Sequence, residues 1–131
     1  MSEPEMTEVV REVAADAIGI EVNRVGAEAN LFDLGAQSLE FLDIVFKLEQ
    51  RYGIEITRGE LERAARGDMD EDDFAPDGII SELGLARLRA LMPEAAERVR
   101  PGLRASQILS LFTVQTFVRI VEQKLASEAG T

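Results

Sequence analysis

Three stretches of this chain repeat apolar residues at the spacing of an α-helix, and that periodicity limits the fold more than any other feature. Over 7–18 the apolar set is Val9, Val10, Val13, Ala14, Ala17 and Ile18, with Glu8, Arg11, Glu12 and Asp16 facing outward. Over 38–52, Leu42, Val45, Phe46 and Leu48 offer an inward stripe, while Glu40, Asp43, Lys47 and Glu49 take more polar positions. Over 114–125, Val114, Phe117, Val118, Val121 and Leu125 form the third set, with Thr113 placed to cap them. Only 5% of residues are aromatic against 46% hydrophobic, so the core is built from Leu, Ile, Val and Ala, which suits helices better than a β-sandwich. The 131 residues fit one domain, 1–131.

The links between these helices carry their own signals. Thr7 is placed as an N-cap and Gly19 as a stop, leaving a long connection over 20–37 that Val22, Val25, Leu31, Phe32 and Leu34 pin to the core. Gly53 ends the second helix. A capping box, Thr57 to Glu60, opens a short helix that stops near Gly67, and an acidic loop covers 68–73. Ile79, Ile80, Leu83, Leu85, Leu88 and Leu91 then keep helical spacing around Gly84, which costs about 1 kcal/mol in a helix interior and leaves one helix or two open. Pro93 suits the first turn of a short helix, Pro101-Gly102 a turn, and Ser106 the cap of a last short helix through Leu111.

Charge and residue inventory exclude several functions. Lys and Arg number 14 against 25 Asp and Glu, a formal charge of -11 that repels nucleic-acid phosphates and anionic membranes and favours basic patches on other proteins. With no Cys and no His, neither a Ser-His or Cys-His nucleophile nor a zinc site of the usual ligands can be assembled within the chain. The run from Asp68 starts like a calcium loop but has Asp73 where glycine is needed and Ile79 where a bidentate Glu is needed, so no metal site is expected. The acidic start at Met1-Ser2-Glu3 and the lack of an apolar run long enough to span a bilayer predict a cytoplasmic protein with no membrane span.

The most informative stretch is Leu31-Phe32-Asp33-Leu34-Gly35-Ala36-Gln37-Ser38-Leu39, followed at once by the second helix. A serine at a helix start lies where backbone N–H groups are unpaired and the helix dipole is positive, so a phosphodiester on its oxygen is favoured there. Gly35 frees the turn, the small Ala36 leaves the hydroxyl approachable, and Leu34 and Leu39 anchor the turn from either side. Ser2 and Ser127 fall in tails, and Ser81, Ser106 and Ser110 read as cap or surface residues.

This stretch, together with the 19–28 loop, the helix running through Glu49 to Ile56 and the distant Phe112-Thr113-Val114-Gln115, resembles the acyl carrier protein family. The resemblance implies an all-α, acyl-carrier-type four-helix bundle with extra short helices between the second and last main helices. It implies 4′-phosphopantetheine, taken from coenzyme A, on Ser38, with acyl intermediates held as thioesters and presented to fatty-acid or lipid biosynthetic enzymes. The chain itself is then a carrier with no catalysis of its own. The implied partners are a phosphopantetheinyl transferase and acyl-loading and acyl-transfer enzymes whose basic patches dock on Gln37, Leu39, Glu40, Asp43 and Glu49. Peptidyl or polyketide carriers, and an interaction protein that keeps the fold unmodified, are the alternatives.

Two departures stand out. Gln37 replaces the family's usual Asp before the serine, and the region 58–104 is enlarged. Leu39 to Phe46 and Tyr52 to Ile56 are also similar to specialised carriers of long acyl chains for lipid A. The aliphatic residues from Ile79 to Leu91 must cover something, either the bundle core or an acyl chain.

Overall fold

The computed structural model describes residues 3–129 and is helical throughout its regular parts. Six α-helices follow in order: α1 (Glu3–Ile18), α2 (Ser38–Tyr52), α3 (Arg58–Arg66), α4 (Glu71–Phe74), α5 (Glu82–Leu91) and α6 (Val114–Ala129). Three 3-10 helices, Val22–Arg24, Pro93–Arg98 and Ala105–Leu111, lie between them. The expected all-α bundle with extra short helices is what the chain forms. Ser2 lies outside the described residues, and Ser127, placed in a tail by the sequence, belongs to α6.

The bundle is organised around α1, which packs on both α2 and α6. Met6, Val9, Val10, Val13 and Ala14 form its buried face. The helix starts four residues before Thr7, because Pro4 in its first turn needs no N–H and fits there. Gly19 stops α1 at φ 85°, donating to the Ala15 carbonyl at 2.8 Å. Phe112, Phe117 and Phe41 close the centre, with ring centroids 5.6 Å and 6.3 Å apart.

The phase of α2 differs from expectation. Phe41, Ile44 and Leu48 point inward, whereas Leu42 and Phe46 are 66% and 54% exposed. Two apolar stripes run along this helix one residue out of register, and periodicity alone cannot say which of them meets the core. The inner stripe is fixed by the aromatic cluster that Phe41 joins.

Residues 58–104 fold into the same core rather than forming a separate layer, with Phe74, Ile80, Leu85, Leu88, Met92, Ala95 and Val99 all in the continuous buried cluster. Thr57 caps α3 by accepting from the Glu60 N–H at 3.2 Å. The stretch expected as an acidic loop contains α4, and α5 is one helix capped by Ser81. Gly84 does not split it. A Cβ there would come within 2.5 Å of the Phe74 carbonyl oxygen, so the missing side chain is what lets α5 close on the end of α4. Ile80, Leu85 and Leu88 are buried as expected, but Ile79 pairs with Arg104 in an isolated bridge outside the helix, and Leu83 is 68% exposed.

Polar ties hold this region to the bundle. Glu94 receives both guanidinium ends of Arg119, at 3.0 and 2.6 Å, and the Thr116 hydroxyl at 2.8 Å, which fastens the Pro93–Arg98 turn to α6. Burial would raise the Glu94 carboxyl, but Arg119, a backbone N–H and Thr116 outweigh it and hold the group below the usual glutamate range. Lys124 of α6 meets Glu60 of α3 at 2.8 Å. The short helix before α6 starts at Ala105, and Gln107, not Ser106, closes its first turn by accepting from the Arg104 N–H at 2.9 Å.

Candidate functional site

The loop leading to Ser38 is stitched to the start of α6. Leu31 donates to the Phe112 carbonyl and Val114 to the Ala29 carbonyl, each at 3.1 Å, with Asn30 and Thr113 bridged between them. The Asn30 side chain donates to the Ser110 carbonyl at 2.8 Å and accepts from the Asp33 N–H at 2.9 Å. Gln115 donates to the Ala27 carbonyl at 3.1 Å. The two motifs, some eighty residues apart in the chain, therefore form one structural unit. Thr113 and Thr116 cap that end of α6 reciprocally.

A tight turn follows, in which Leu34, Gly35 and Ala36 donate back to Leu31 or Phe32 at 3.1 Å. Gly35 sits at φ 106°, a region closed to ordinary side chains. Ala36 is fully buried under the turn, so it anchors the turn and does not form the open approach expected of it. Leu39 likewise anchors nothing: it is 73% exposed. Leu31 and the half-buried Leu34 hold the loop instead.

Gln37 is the N-cap residue and Ser38 the first residue of α2. The Glu40 carboxylate accepts from the Gln37 N–H at 2.7 Å, and α2 begins with Phe41 donating to the Gln37 carbonyl at 2.9 Å. Ser38 is exposed, and its hydroxyl makes no hydrogen bond among the described residues. It borders a cleft of about 400 Å³ whose walls include Phe32, Gln37, Phe41 and Leu109.

The other sequence-selected residues are spread along α2. Asp43 meets Lys47 at 3.2 Å, and Lys47 also reaches Asp16 on α1 at the same distance. The hydrogen bonds that Lys47 donates to Asp16 and then to Asp43 raise its pKa. Glu49 accepts from the Ile56 N–H at 2.8 Å and so fastens the chain leaving α2. Sequence reasoning missed Asn30, and it missed Arg98, which forks onto Asp33 with one contact at 3.1 Å and brings the enlarged region to the turn before Ser38. Arg98 carries no local pattern, because its partner lies 65 residues away, and Asn30, besides its local contact with Asp33, makes its tie to Ser110 across 80 residues.

Residues 8–66, from α1 through the turn and α2 to the end of α3, match the family described as "phosphopantetheine attachment site". An acyl carrier protein of Akkermansia muciniphila is 36% identical to this chain over 64 residues, 48% of this chain and 80% of that protein. The chain belongs to the acyl carrier protein family. Membership brings a covalently attached 4′-phosphopantetheine as prosthetic group. The first turn of α2 fits such a group in this carrier: an exposed, unbonded hydroxyl lies at the positive end of a fifteen-residue helix, where a phosphodiester charge is stabilised. No solved structure matches the chain. Among the described residues no helix is long and apolar enough to cross a membrane.

Proposed function

We propose that Ser38 is the attachment residue and that the chain, as a single carrier domain over 1–131, tethers acyl intermediates for fatty-acid or lipid biosynthesis. The observation that carries this reading is the free Ser38 hydroxyl at the start of α2, on a turn braced by both the aromatic core and α6. In the attachment step the Ser38 oxygen forms a bond to the pantetheine-bearing phosphorus of coenzyme A. The bond from that phosphorus to the nucleotide's phosphate breaks, and the serine proton passes to the transferase. The arm's thiol supplies the thioester chemistry. This chain's own residues orient the arm and present it, while partner enzymes carry out catalysis.

Docking falls to the outer stripe of α2. Leu39, Leu42 and Phe46 share one exposed face at i, i+3 and i+7, with Glu40 and Asp43 beside them. An apolar centre rimmed by acidic groups suits an enzyme surface with an apolar contact ringed by Lys or Arg, where charge governs encounter and the apolar residues govern dwell time. Gln37 gives the transferase a hydrogen-bonding neighbour without the charge next to Ser38. Glu49 belongs to this surface, although one of its oxygens is held by Ile56.

The test is thioester loading. Protein carrying the arm, given an acyl donor and a loading enzyme, is expected to gain one acyl group that neutral hydroxylamine releases. Acylation that resists hydroxylamine, or that appears equally on protein lacking the arm, refutes the carrier reading.

A further inference from the structure

The charge of this chain is unevenly placed. Between Glu82 and Arg119 stand five arginines, Arg87, Arg89, Arg98, Arg100 and Arg104, against two carboxylates, Glu94 and Glu97, although the whole chain carries a formal charge of -11. Glu94 is already engaged by Arg119. Arg98, Arg100 and Arg104 are all exposed, and Arg100 and Arg104 meet no carboxylate among the described residues. This basic stretch runs to the attachment site. Arg98 forks onto Asp33 in the turn before Ser38, and Arg104 directly precedes the 3-10 helix whose Ser106, Gln107 and Leu109 line the cleft with Gln37 and Ser38. Arg100 stands between them in the chain.

Arg98 projects from a fixed turn. Ala95 and Val99 on either side of it are buried, Glu94 is clamped by Arg119 and Thr116, and Arg89 donates to the Val99 carbonyl at 2.8 Å. The ion pair with Asp33 is about half exposed at both ends, and a pair so placed contributes only about 0–1 kcal/mol to stability. Its larger effect is on the charge that a partner meets. Asp33 is the one carboxylate between Leu31 and Leu39, and Gln37 leaves the position before Ser38 neutral, so with Arg98 on Asp33 the turn presents no net negative charge. Beyond Ser38, α2 remains acidic at Glu40 and Asp43.

Resting on the carrier reading, we propose that Arg98 is a specificity-determining residue: by covering Asp33, with Arg100 and Arg104 beside it, it makes the face around Ser38 two-signed, acidic along α2 and basic over 98–104. Such a face fits an enzyme whose entrance carries Lys or Arg opposite α2 and Asp or Glu opposite the arginines. An enzyme that is basic on both sides meets like charge at the turn, a repulsion that physiological salt screens only beyond about 8 Å. All three arginines lie outside the stretch 8–66 that matches the attachment-site family. The enlarged region thereby selects among partners, while Ser38 and α2 set how the arm is attached and delivered.

The probe is a phosphopantetheinyl transferase whose docking surface is basic on both sides of its coenzyme A site, with the carrier as the varied substrate and the mass gained at Ser38 as the readout. Arg98→Gln is expected to lower KM about threefold, and Arg100→Gln combined with Arg104→Gln by a similar factor, each with kcat unchanged and each effect lost in about 0.5 M salt. Adding Asp33→Asn to Arg98→Gln raises KM part of the way back, because the uncovered carboxylate is what the transferase then reads. If Arg98 merely braces the turn, its loss instead raises KM or lowers kcat with no dependence on salt, and that result overturns the proposal. An unchanged KM in either variant overturns it too. Arg100 and Arg104 brace no carboxylate, so their double substitution tests the basic side even where Arg98→Gln loosens the turn. Attachment with these KM values unmoved leaves the carrier reading intact, whereas no attachment on the parent or on any variant overturns that reading itself.

Discussion

Gly84→Ala and Gly59→Ala are the same chemical change in two helices, and the structure predicts opposite signs. Alanine is favoured over glycine in a helix by about 1 kcal/mol through helix propensity. At Gly59, near the start of α3, the nearest atom to an added Cβ is the Thr57 hydroxyl oxygen at 3.7 Å, an ordinary contact, so the propensity gain survives as about 0.5–1 kcal/mol of added stability. At Gly84 the Cβ would stand 2.5 Å from the Phe74 carbonyl oxygen and 2.7 Å from Ile80 Cγ2. Backbone must move, and overpacking costs about 1–3 kcal/mol; so short an approach to a backbone oxygen falls in the upper part of that range, about 2–3 kcal/mol, against a propensity gain of about 1 kcal/mol. Gly84→Ala is therefore expected to lose about 1–2 kcal/mol net, lowering Tm by several degrees, while Gly59→Ala raises it. Urea titration at constant slope, with a thermal melt of each protein, measures both. A Gly84→Ala protein as stable as the parent would refute the close approach of α5 to the end of α4.

Glu94 makes stability depend on acid. Its folded-state pKa is lowered, so the unfolded chain binds more protons in the acid range, and the contribution of Glu94 is present above the ordinary glutamate pKa and lost as pH falls through the folded value. Glu94→Gln should flatten the acid limb of the stability profile, and an unchanged limb in urea melts across that range would contradict the Arg119 contact. Ile44→Ala should cost about 2–5 kcal/mol and Leu42→Ala under about 0.5 kcal/mol, because only the first is buried; a reversed order in denaturant melts would restore the sequence-expected phase of α2. Charge reversal of Glu40, Asp43 and Glu49 together should weaken transferase binding and flatten its salt dependence in a titration at two ionic strengths. Equal binding by parent and variant at both would leave these groups as solubilising charge.

The sequence carried the main helices because their signals are local: apolar spacing, and stops at Gly19 and Gly53. The position of Ser38 at the start of α2 was legible for the same reason, since the residues from Leu31 to Gln37 lead into it through one local turn. The orientation of α2 was not, since Leu39, Leu42 and Phe46 compete with Phe41, Ile44 and Leu48 and only tertiary contact with Phe112 and Phe117 chooses between them. The same limit hid the ties of the enlarged region. Arg98 to Asp33 spans 65 residues and Glu94 to Arg119 spans 25, distances at which no periodicity operates. Gly84, read as a helix weakness, is a packing requirement that becomes visible only with Phe74 in place.

The central claim is that Ser38 is the single point of attachment, and intact-mass spectrometry tests it most directly. Incubated with coenzyme A, magnesium and a permissive phosphopantetheinyl transferase, the parent protein should gain the mass of one phosphopantetheine group, localised to Ser38 by fragmentation, and Ser38→Ala should gain none. No addition to the parent by any transferase tried, or equal addition to Ser38→Ala, would contradict the account.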